Sequence, residues 1–251
     1  MAAVNIRTEE ELQLMRKSGW ISAQALKKTI EAVAVGVSLW DLERIAEAEI
    51  LRHGAEAAFK KVPGYSYTCC LTVNDELVHG IPRNIILKQG DKVSIDLGAC
   101  FKGWNTDTAW SVIVGGAKSS FLEVGERALW AAVDLAIEGG RIGDIGGVIQ
   151  EIVENQSGYS VSRTLIGHGI GRKLHEAPEV PGFGTQGTGL VLKAGMTIAI
   201  EVIFAEKSAE VVLAPDKWTL VTADGSMGGL FEMTLIVGKE SAEVLTDWRT
   251  V

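Results

Sequence analysis

Residues 93–114 read VSIDLGACFKGWNTDTAWSVIV, and this stretch decides the class of fold. β-Branched and apolar residues alternate with polar ones on both sides of Lys102-Gly103, a dipeptide suited to a tight hairpin turn. The stretch therefore predicts two antiparallel strands, over 92–101 and 105–114. With a two-residue turn, Asp96 faces Ala109 across the hairpin. Asp107 lies two residues from Ala109, so the two aspartates share one face as diagonal neighbours, about 7–8 Å apart at their Cα atoms.

The rest of the chain repeats one order of elements, a helix pair followed by strands. Capping residues and apolar residues at helical spacing predict helices from Thr8 toward Gly36, from Ser38 to Gly54, over 121–138 and over 144–156. Period-2 alternation predicts further strands over 67–73, 159–166, 195–204, 209–213, 217–222 and 229–237. The segment from Lys173 to Gly187 is predicted to be an irregular loop. Two similar halves without a linker indicate one α+β domain over 1–251.

Composition excludes several classes of protein. The 251 residues carry 24 basic and 32 acidic side chains, and 47% are hydrophobic, which is typical of a folded globular chain. The net charge of −8 without a basic block argues against a nucleic-acid or membrane partner. No apolar run is long enough to span a bilayer. Three cysteines, two of them adjacent, make a poor disulfide framework, so we expect a cytoplasmic protein.

Four acids stand in segments that otherwise look buried. Asp96 and Asp107 lie in the hairpin, Glu201 in MTIAIEVIF and Glu232 in GGLFEMTLIV, and no Lys or Arg lies within three residues of any of the four. An unpaired buried carboxylate costs several kcal/mol, so a positive partner is required. Divalent cations satisfy this requirement. An oxygen-rich set suits Mn²⁺, Fe²⁺, Co²⁺ or a catalytic Zn²⁺, and so many carboxylates indicate two ions that would support hydrolysis.

Three of the four histidines lie in segments rich in Gly and Pro. His79 lies in VHGIPR, whereas His168 and His175 lie in GHGIGRKLHEAP, where backbone can approach a ligand closely. GHGIGR also resembles a nucleotide-binding loop superficially. It lacks the third Gly of that motif at the right offset, and no helix pattern follows it.

At this level of detail the chain resembles the type I methionine aminopeptidases. The resemblance rests on VNDELVHGIP, SIDLGACFKGWNTDTAWSVIVG, GHGIGRKLHEAPEVPGFG, MTIAIEVIF and KWTLVTADGSMGGLFEMT, in the order and spacing of that family. It implies the pita-bread fold, an α+β architecture in which two pseudo-symmetric halves share a curved antiparallel sheet covered by helix pairs. It also implies removal of the N-terminal methionine of nascent proteins and peptides by a monomeric enzyme.

The resemblance implies roles for particular residues. Five metal ligands would hold two divalent ions (Co, Mn, Fe or Zn): Asp96, Asp107, His168, Glu201 and Glu232. A water between the ions would attack the first peptide carbonyl, and Glu201 would carry its proton. His79 and His175 would bind the scissile amide or the tetrahedral intermediate from opposite sides. The positions matching the methionine pocket are Phe59, Tyr65, Cys70, Leu174 and Trp218.

The sequence departs from the family at four positions near these motifs. Val202 stands in place of a proline, Met233 of a histidine, Ala177 of a glutamate and Asn105 of a histidine. We expect these positions to support the ligands and tune their orientation, without removing a ligand.

Two other functions stay open from the sequence. A proline-directed or creatinase-type peptidase would share the fold, but such relatives usually carry an extra N-terminal domain, and this sequence begins close to the catalytic motifs. A binding protein that has lost catalysis would typically lack a ligand, whereas all five ligand positions are filled.

Overall fold

The computed structural model describes residues 4–251. Its α-helices are α1 (Glu9–Glu31), α2 (Leu39–Arg52), α3 (Ser120–Asp134) and α4 (Ile142–Gln150), the last continued by a π-helical turn over Glu151–Asn155. Its strands are β1 (Glu56–Ala57), β2 (Cys69–Val73), β3 (Glu76–Val78), β4 (Lys92–Phe101), β5 (Trp104–Ile113), β6 (Ser160–Val161), β7 (Gly167–Gly169), β8 (Glu176–Val180), β9 (Thr197–Ala205), β10 (Val211–Leu213), β11 (Leu220–Thr222), β12 (Gly228–Ile236) and β13 (Glu243–Val244).

The first two helices begin where their capping residues predict. Thr8 accepts a hydrogen bond from the backbone of Glu11, and the Glu11 side chain bonds back to Thr8. Ser38 and Asp41 form the same reciprocal pair at the start of α2. Such boxes satisfy backbone donors that a helix start leaves free, so a local sequence signal fixes each helix boundary.

One large antiparallel sheet joins the two halves. Its strands follow the order β1-β4-β5-β12-β9-β7-β8, so the β4–β5 hairpin and the β9–β12 pair meet at the β5–β12 seam. Helix α1 packs on β4 and β5, while α3 packs on β9 and β12. This arrangement of helix pairs on a shared sheet confirms the α+β fold with two related halves.

Alternation along the central strands separates two faces of the sheet. Ile95 and Leu97 of β4 and Ile200 of β9 are fully buried beneath the helices, in the main hydrophobic core. The intervening residues, among them Asp96 and Glu201, point to the opposite face. The predicted acids therefore lie on the face that the helices do not cover.

A smaller sheet lies beside this open face. Strands β10, β11 and β3 pair antiparallel in that order, and His79 directly follows β3. Trp218 precedes β11. This small sheet brings both side chains to the edge of the open face, where they line one pocket with the acids.

The structure corrects three sequence predictions. Strand β8 lies within the 173–187 segment that was expected to be irregular, and the single strand expected over 159–166 is replaced by the short strands β6 and β7. Strand β3 was not predicted. These strands span two to five residues, and β8 contains an exposed glutamate and a proline on the sheet edge, so no period-2 pattern could develop. Within residues 4–251, no helix is both long and apolar enough to cross a bilayer.

Candidate metal centre

Three of the four predicted acids form one row across neighbouring strands. Asp96 of β4 pairs with Ala109 of β5, Ala109 pairs in turn with Glu232 of β12, and Glu232 pairs with Glu201 of β9. We call Asp96, Glu232 and Glu201 the acidic row. Glu232 and Glu201 are direct cross-strand neighbours, which destabilises a sheet when both carry the same charge. Ala109 presents only a methyl group between Asp96 and Glu232.

Asp107 and His168 lie beside the acidic row. Asp107 faces Gly98 in the β4–β5 hairpin, which confirms its predicted diagonal placement next to Asp96. One ligand atom each from Asp107, His168 and Glu232 lies within 4.8 Å of the other two. The His168 Nε2 atom is 4.0 Å from Glu232 Oε1. These three side chains therefore converge on one point, with the remaining acids of the row on the same face.

The carboxylates strongly resist ionisation. Asp96, Asp107 and Glu232 are each at most 9% exposed, and burial raises the pKa of all three well above the usual range. Repulsion among the neighbouring carboxylates raises these pKa values further. Burial raises the pKa of Glu201 to about 7. Four acids that lie so close together cannot all be ionised at neutral pH unless a positive charge lies between them.

Within the described residues, no Lys or Arg forms a salt bridge that would supply this positive charge. Asp96 Oδ1 and Glu232 Oε1 are buried without a hydrogen-bond partner in residues 4–251. The buried lysine at the start of β4, Lys92, donates instead to the Glu76 carbonyl (2.9 Å) and the Ser94 hydroxyl (3.2 Å). Orphaned carboxylate oxygens with one imidazole are the donor set expected for hard or borderline divalent cations, so the residues present fit a metal centre.

The Nε2 atom of His168 faces the acids and is unprotonated, so its lone pair is free. Its Nδ1 atom is 2.9 Å from the Gly169 carbonyl oxygen, which can only accept, so Nδ1 carries the proton. Burial, followed by the proximity of His175, lowers the pKa of His168 to about 4. The ring is thus neutral at physiological pH with a fixed tautomer, which is the form that binds a metal.

His79 and His175 extend into the pocket around these groups. Both side chains are exposed to the pocket, and their partial withdrawal from water lowers the pKa of each. The His175 ring packs edge-on against the His168 ring at 4.4 Å. His79 has a φ of 59°, in the left-handed region, and the next residue packs closely on the Leu71 carbonyl. Non-glycine residues adopt this conformation where the surroundings impose it, as often happens at functional sites.

An apolar compartment adjoins the acidic row. The Tyr65 ring meets the rings of Trp218 and Phe59 edge-on, with centroids 5.0 Å and 6.4 Å away. Cys70 and Leu174 complete this compartment, which we define by these five side chains. Cys70 is the cross-strand partner of Asp96. Burial raises the pKa of the Cys70 thiol, which therefore stays neutral beside the acids.

One pocket of about 1190 Å³ contains every residue that the sequence predicted for the site. The chemical role of each residue stays a prediction. Three residues that were not predicted also line the pocket: Val78, Leu165 and Ile203. Ile203 could have been found, because it lies two residues beyond Glu201 on the same face of β9. The nucleotide-loop alternative is wrong, because residues 167–169 form a strand and no helix follows them.

Two of the four departures lie away from the site. Val202 and Met233 are fully buried on the helix side of the sheet, within the hydrophobic core, so their side chains do not face the ligands, and their effect on ligand orientation stays a prediction. Residues adjacent to a ligand in a strand point to the opposite face. Asn105 does lie on the ligand face and bonds to the loop that follows β7. Ala177 lies in β8 and lines the pocket.

Comparison with known proteins identifies the class. The family model of metallopeptidase family M24 matches residues 13–239, and the chain belongs to this family. It is 40% identical over 244 residues to a methionine aminopeptidase of Clostridium perfringens, covering 96% of this chain and 98% of that protein. It is 39% identical over 243 residues to methionine aminopeptidase 1 of Bacillus subtilis, with the same coverage of both chains.

Solved structures agree with this assignment. The crystal structure of a methionine aminopeptidase from Thermotoga maritima matches with a TM-score of 0.94 and 38% identity, over 97% of this chain and 99% of that chain. A prolidase from Pyrococcus furiosus matches with a TM-score of 0.77 at 24% identity. This chain covers only 65% of the prolidase, and at 24% identity the likeness shows the fold alone.

Proposed function

We propose that this chain removes N-terminal methionine from peptides and nascent proteins, using two divalent cations held by Asp96, Asp107, His168, Glu201 and Glu232. The observation that carries the proposal is the acidic row, in which Asp96 and Glu232 each have a buried oxygen without a partner and Glu232 approaches the neutral His168 ring. The full-length similarity to methionine aminopeptidases supports the choice of substrate.

The family implies a divalent metal, and the number and identity of the ions are part of the proposal. Four carboxylates exceed what one ion requires beside an imidazole, which supports two ions. Oxygen donors with one nitrogen favour Mn²⁺, Fe²⁺, Co²⁺ or Zn²⁺ over soft metals. Bound in this way, such cations would lower the pKa of a water and polarise the substrate carbonyl.

The chain's own residues provide the remaining chemistry. Glu201 would take the proton that the attacking water loses at the first peptide carbonyl and would return it to the leaving amine. His79 and His175 are neutral at physiological pH, and each offers a ring N–H to the scissile amide or the oxyanion that forms from it. Their lowered pKa values support this assignment.

The apolar compartment selects the first side chain of the substrate. Three aromatic rings, a thiol and a leucine suit an unbranched thioether, which bends to fill such a space. Because Cys70 is the neighbour of Asp96, a side chain in this compartment would place its own free amine close to the acidic row. The attraction of that positive amine to the acids favours chain ends over internal peptide bonds.

A peptide assay tests the function. Purified protein that has been loaded with Mn²⁺ or Co²⁺ should release methionine from Met-Ala-Ser, and a chelator should abolish the release. Cleavage of Ala-Pro peptides alone would favour a proline-directed peptidase instead. No cleavage of either peptide with Mn²⁺, Fe²⁺, Co²⁺ or Zn²⁺ would favour a binding protein.

We further propose that the enzyme works as a monomer in the cytoplasm. All three cysteines are buried and free, which supports a reducing compartment. Light scattering coupled to gel filtration tests the monomer, since a mass well above 26.9 kDa would contradict it. Cell fractionation tests the compartment.

A further inference from the structure

The His175 ring depends on its loop for its position. Residues 170–175 connect β7 to β8, and we call this segment the His175 loop. The ring itself is exposed to the pocket and packs on the His168 ring. An exposed imidazole gains little restraint from such a contact, so the loop backbone sets where the ring lies.

Asn105 binds this loop from the β4–β5 hairpin. Its side-chain amide donates hydrogen bonds to the carbonyl oxygens of Gly171 (2.8 Å) and Arg172 (3.1 Å), and its backbone N–H donates to Gly171 as well (2.8 Å). Asn105 is only 4% exposed. Bonds of this kind are stronger when they are shielded from water, and a buried amide has no solvent to replace them.

An ion pair also binds the loop. The side chains of Arg7 and Glu176 form a salt bridge while only 6% and 8% exposed. Arg7 also donates to the Ile170 carbonyl (3.2 Å), and Glu176 accepts from the backbone N–H of Lys173 (2.9 Å). A Cβ atom on Gly171 would lie 2.2 Å from the Arg7 guanidinium, so the loop and the arginine are in close contact.

Trp104 connects these two anchors. The Arg7 and Arg172 guanidinium carbons lie 5.2 Å and 4.1 Å from its ring centroid, within the range of cation–π contacts. Trp104 and Asn105 begin β5, the strand that also carries Asp107. The loop is therefore fastened to a strand that contributes to the metal centre, which fixes His175 relative to the acids.

We propose that Asn105 and the Arg7–Glu176 pair are positioning residues that hold His175 at its working distance from the substrate. This inference rests on the proposed function for its catalytic consequence. Asn105 and Arg7 do not line the pocket, and the Glu176 carboxylate is occupied by Arg7 and the Lys173 N–H. Removal of the anchors releases the loop and lets His175 move away, while the five metal ligands stay in place because their own strands hold them.

The test combines two anchor variants with His175→Ala. Asn105→Ala removes the two side-chain hydrogen bonds of the first anchor, and Arg7→Met/Glu176→Gln removes both charges of the second while leaving an oxygen for the Lys173 N–H. Each should lower kcat on Met-Ala-Ser by about ten- to a hundredfold with little change in KM, as expected for misplacement of a catalytic group. Mn²⁺ affinity measured by calorimetry should stay within about threefold of wild type, because positioning variants leave the ligands in place.

The decisive comparison is the same variants in the His175→Ala background. If the anchors act through His175, neither should lower kcat more than about twofold further there, because coupled residues are not additive. An equal loss in both backgrounds would overturn the proposal. Asn155→Ala and Arg16→Met, which remove a surface amide and a surface ion-pair arginine, are the matched controls and should behave as wild type.

Hydrogen exchange separates this inference from the proposed function. Amide exchange over 170–176 should become faster in both anchor variants and stay unchanged in the controls. If wild-type protein releases no methionine, the proposed function fails, and exchange alone then decides whether the anchors hold the loop. Unchanged exchange in the anchor variants refutes the inference whatever the activity.

Discussion

Replacing Glu201 with glutamine removes the charge of this side chain and keeps its shape. Burial raises the pKa of Glu201 from 4.5 to about 7, so the metal-free folded protein keeps a proton that the unfolded chain releases. The stabilising contribution of this proton is complete below pH 4.5 and is lost as the pH rises through 7. At about 1.4 kcal/mol per pH unit, the loss by pH 8 is about 2–3 kcal/mol after allowance for screening by water in the pocket. Glutamine carries no charge to lose.

Urea unfolding in the presence of a chelator measures this difference. Metal-free Glu201→Gln should be about 2–3 kcal/mol more stable than wild type at pH 8 and nearly equal to it at about pH 4. Saturating Mn²⁺ should then reverse the order, because a cation at a hundred times its Kd adds about 2.7 kcal/mol to a protein that binds it. The variant binds it more weakly and should gain less.

Glu206→Gln is the matched control, since Glu206 is exposed just beyond the end of the same strand. It should follow wild type at both pH values and with metal. If metal-free Glu201→Gln shows no advantage at pH 8, then ionised Glu201 carries no electrostatic cost in the folded protein, which contradicts the prediction. Equal stabilisation of variant and wild type by Mn²⁺ would remove Glu201 from the ligand set.

Four further variants test three residues of the site and one buried lysine outside it. Asp107→Asn should lose bound metal in elemental analysis after dialysis, whereas Asp134→Asn on the surface should keep it. His79→Ala should lower kcat by about a hundredfold with unchanged metal content, and loss of metal there would contradict its role toward the substrate. Trp218→Ala should raise KM for Met-Ala-Ser about tenfold, because the apolar compartment loses one wall; an unchanged KM would exclude methionine from it. Burial lowers the pKa of Lys92 to about 7, so the wild-type protein loses stability as the pH falls from 10.5 through 7. Lys92→Met should therefore have a higher free energy of unfolding in urea than wild type at pH 7. This advantage should disappear near pH 10.5.

The fold could be predicted where the determining signals are local. Two-residue turn chemistry at Lys102-Gly103 fixes the register of the hairpin, and every observed pair between β4 and β5 follows from it. The caps at Thr8 and Ser38 fix two helix starts in the same way. Strands β3 and β8 were missed because they are short and take their structure from partners elsewhere in the chain, which leaves no local period to detect.

The site was predictable as a set of residues but not as an arrangement. An acid within an apolar strand contradicts its surroundings, so each acid could be identified from its own segment. The direct pairing of Glu201 with Glu232 could not, because a long connection rather than a tight turn separates their strands and leaves the register open. The same limit hid the Arg7–Glu176 pair, whose partners are 169 residues apart.

The seam between the halves explains why metal binding and stability should be linked. Each half contributes two acids, from β4 and β5 on one side and from β9 and β12 on the other, so neither half holds a complete site. Hydroxyl groups reinforce the seam itself: Thr108 donates to the Glu232 carbonyl (3.0 Å), and Thr234 bonds both the N–H (2.9 Å) and the carbonyl (2.8 Å) of Asp107. These bonds hold carboxylates together against their own repulsion. Cations placed between the acids would turn that repulsion into attraction across the seam, and would therefore stabilise the same contact that builds the site.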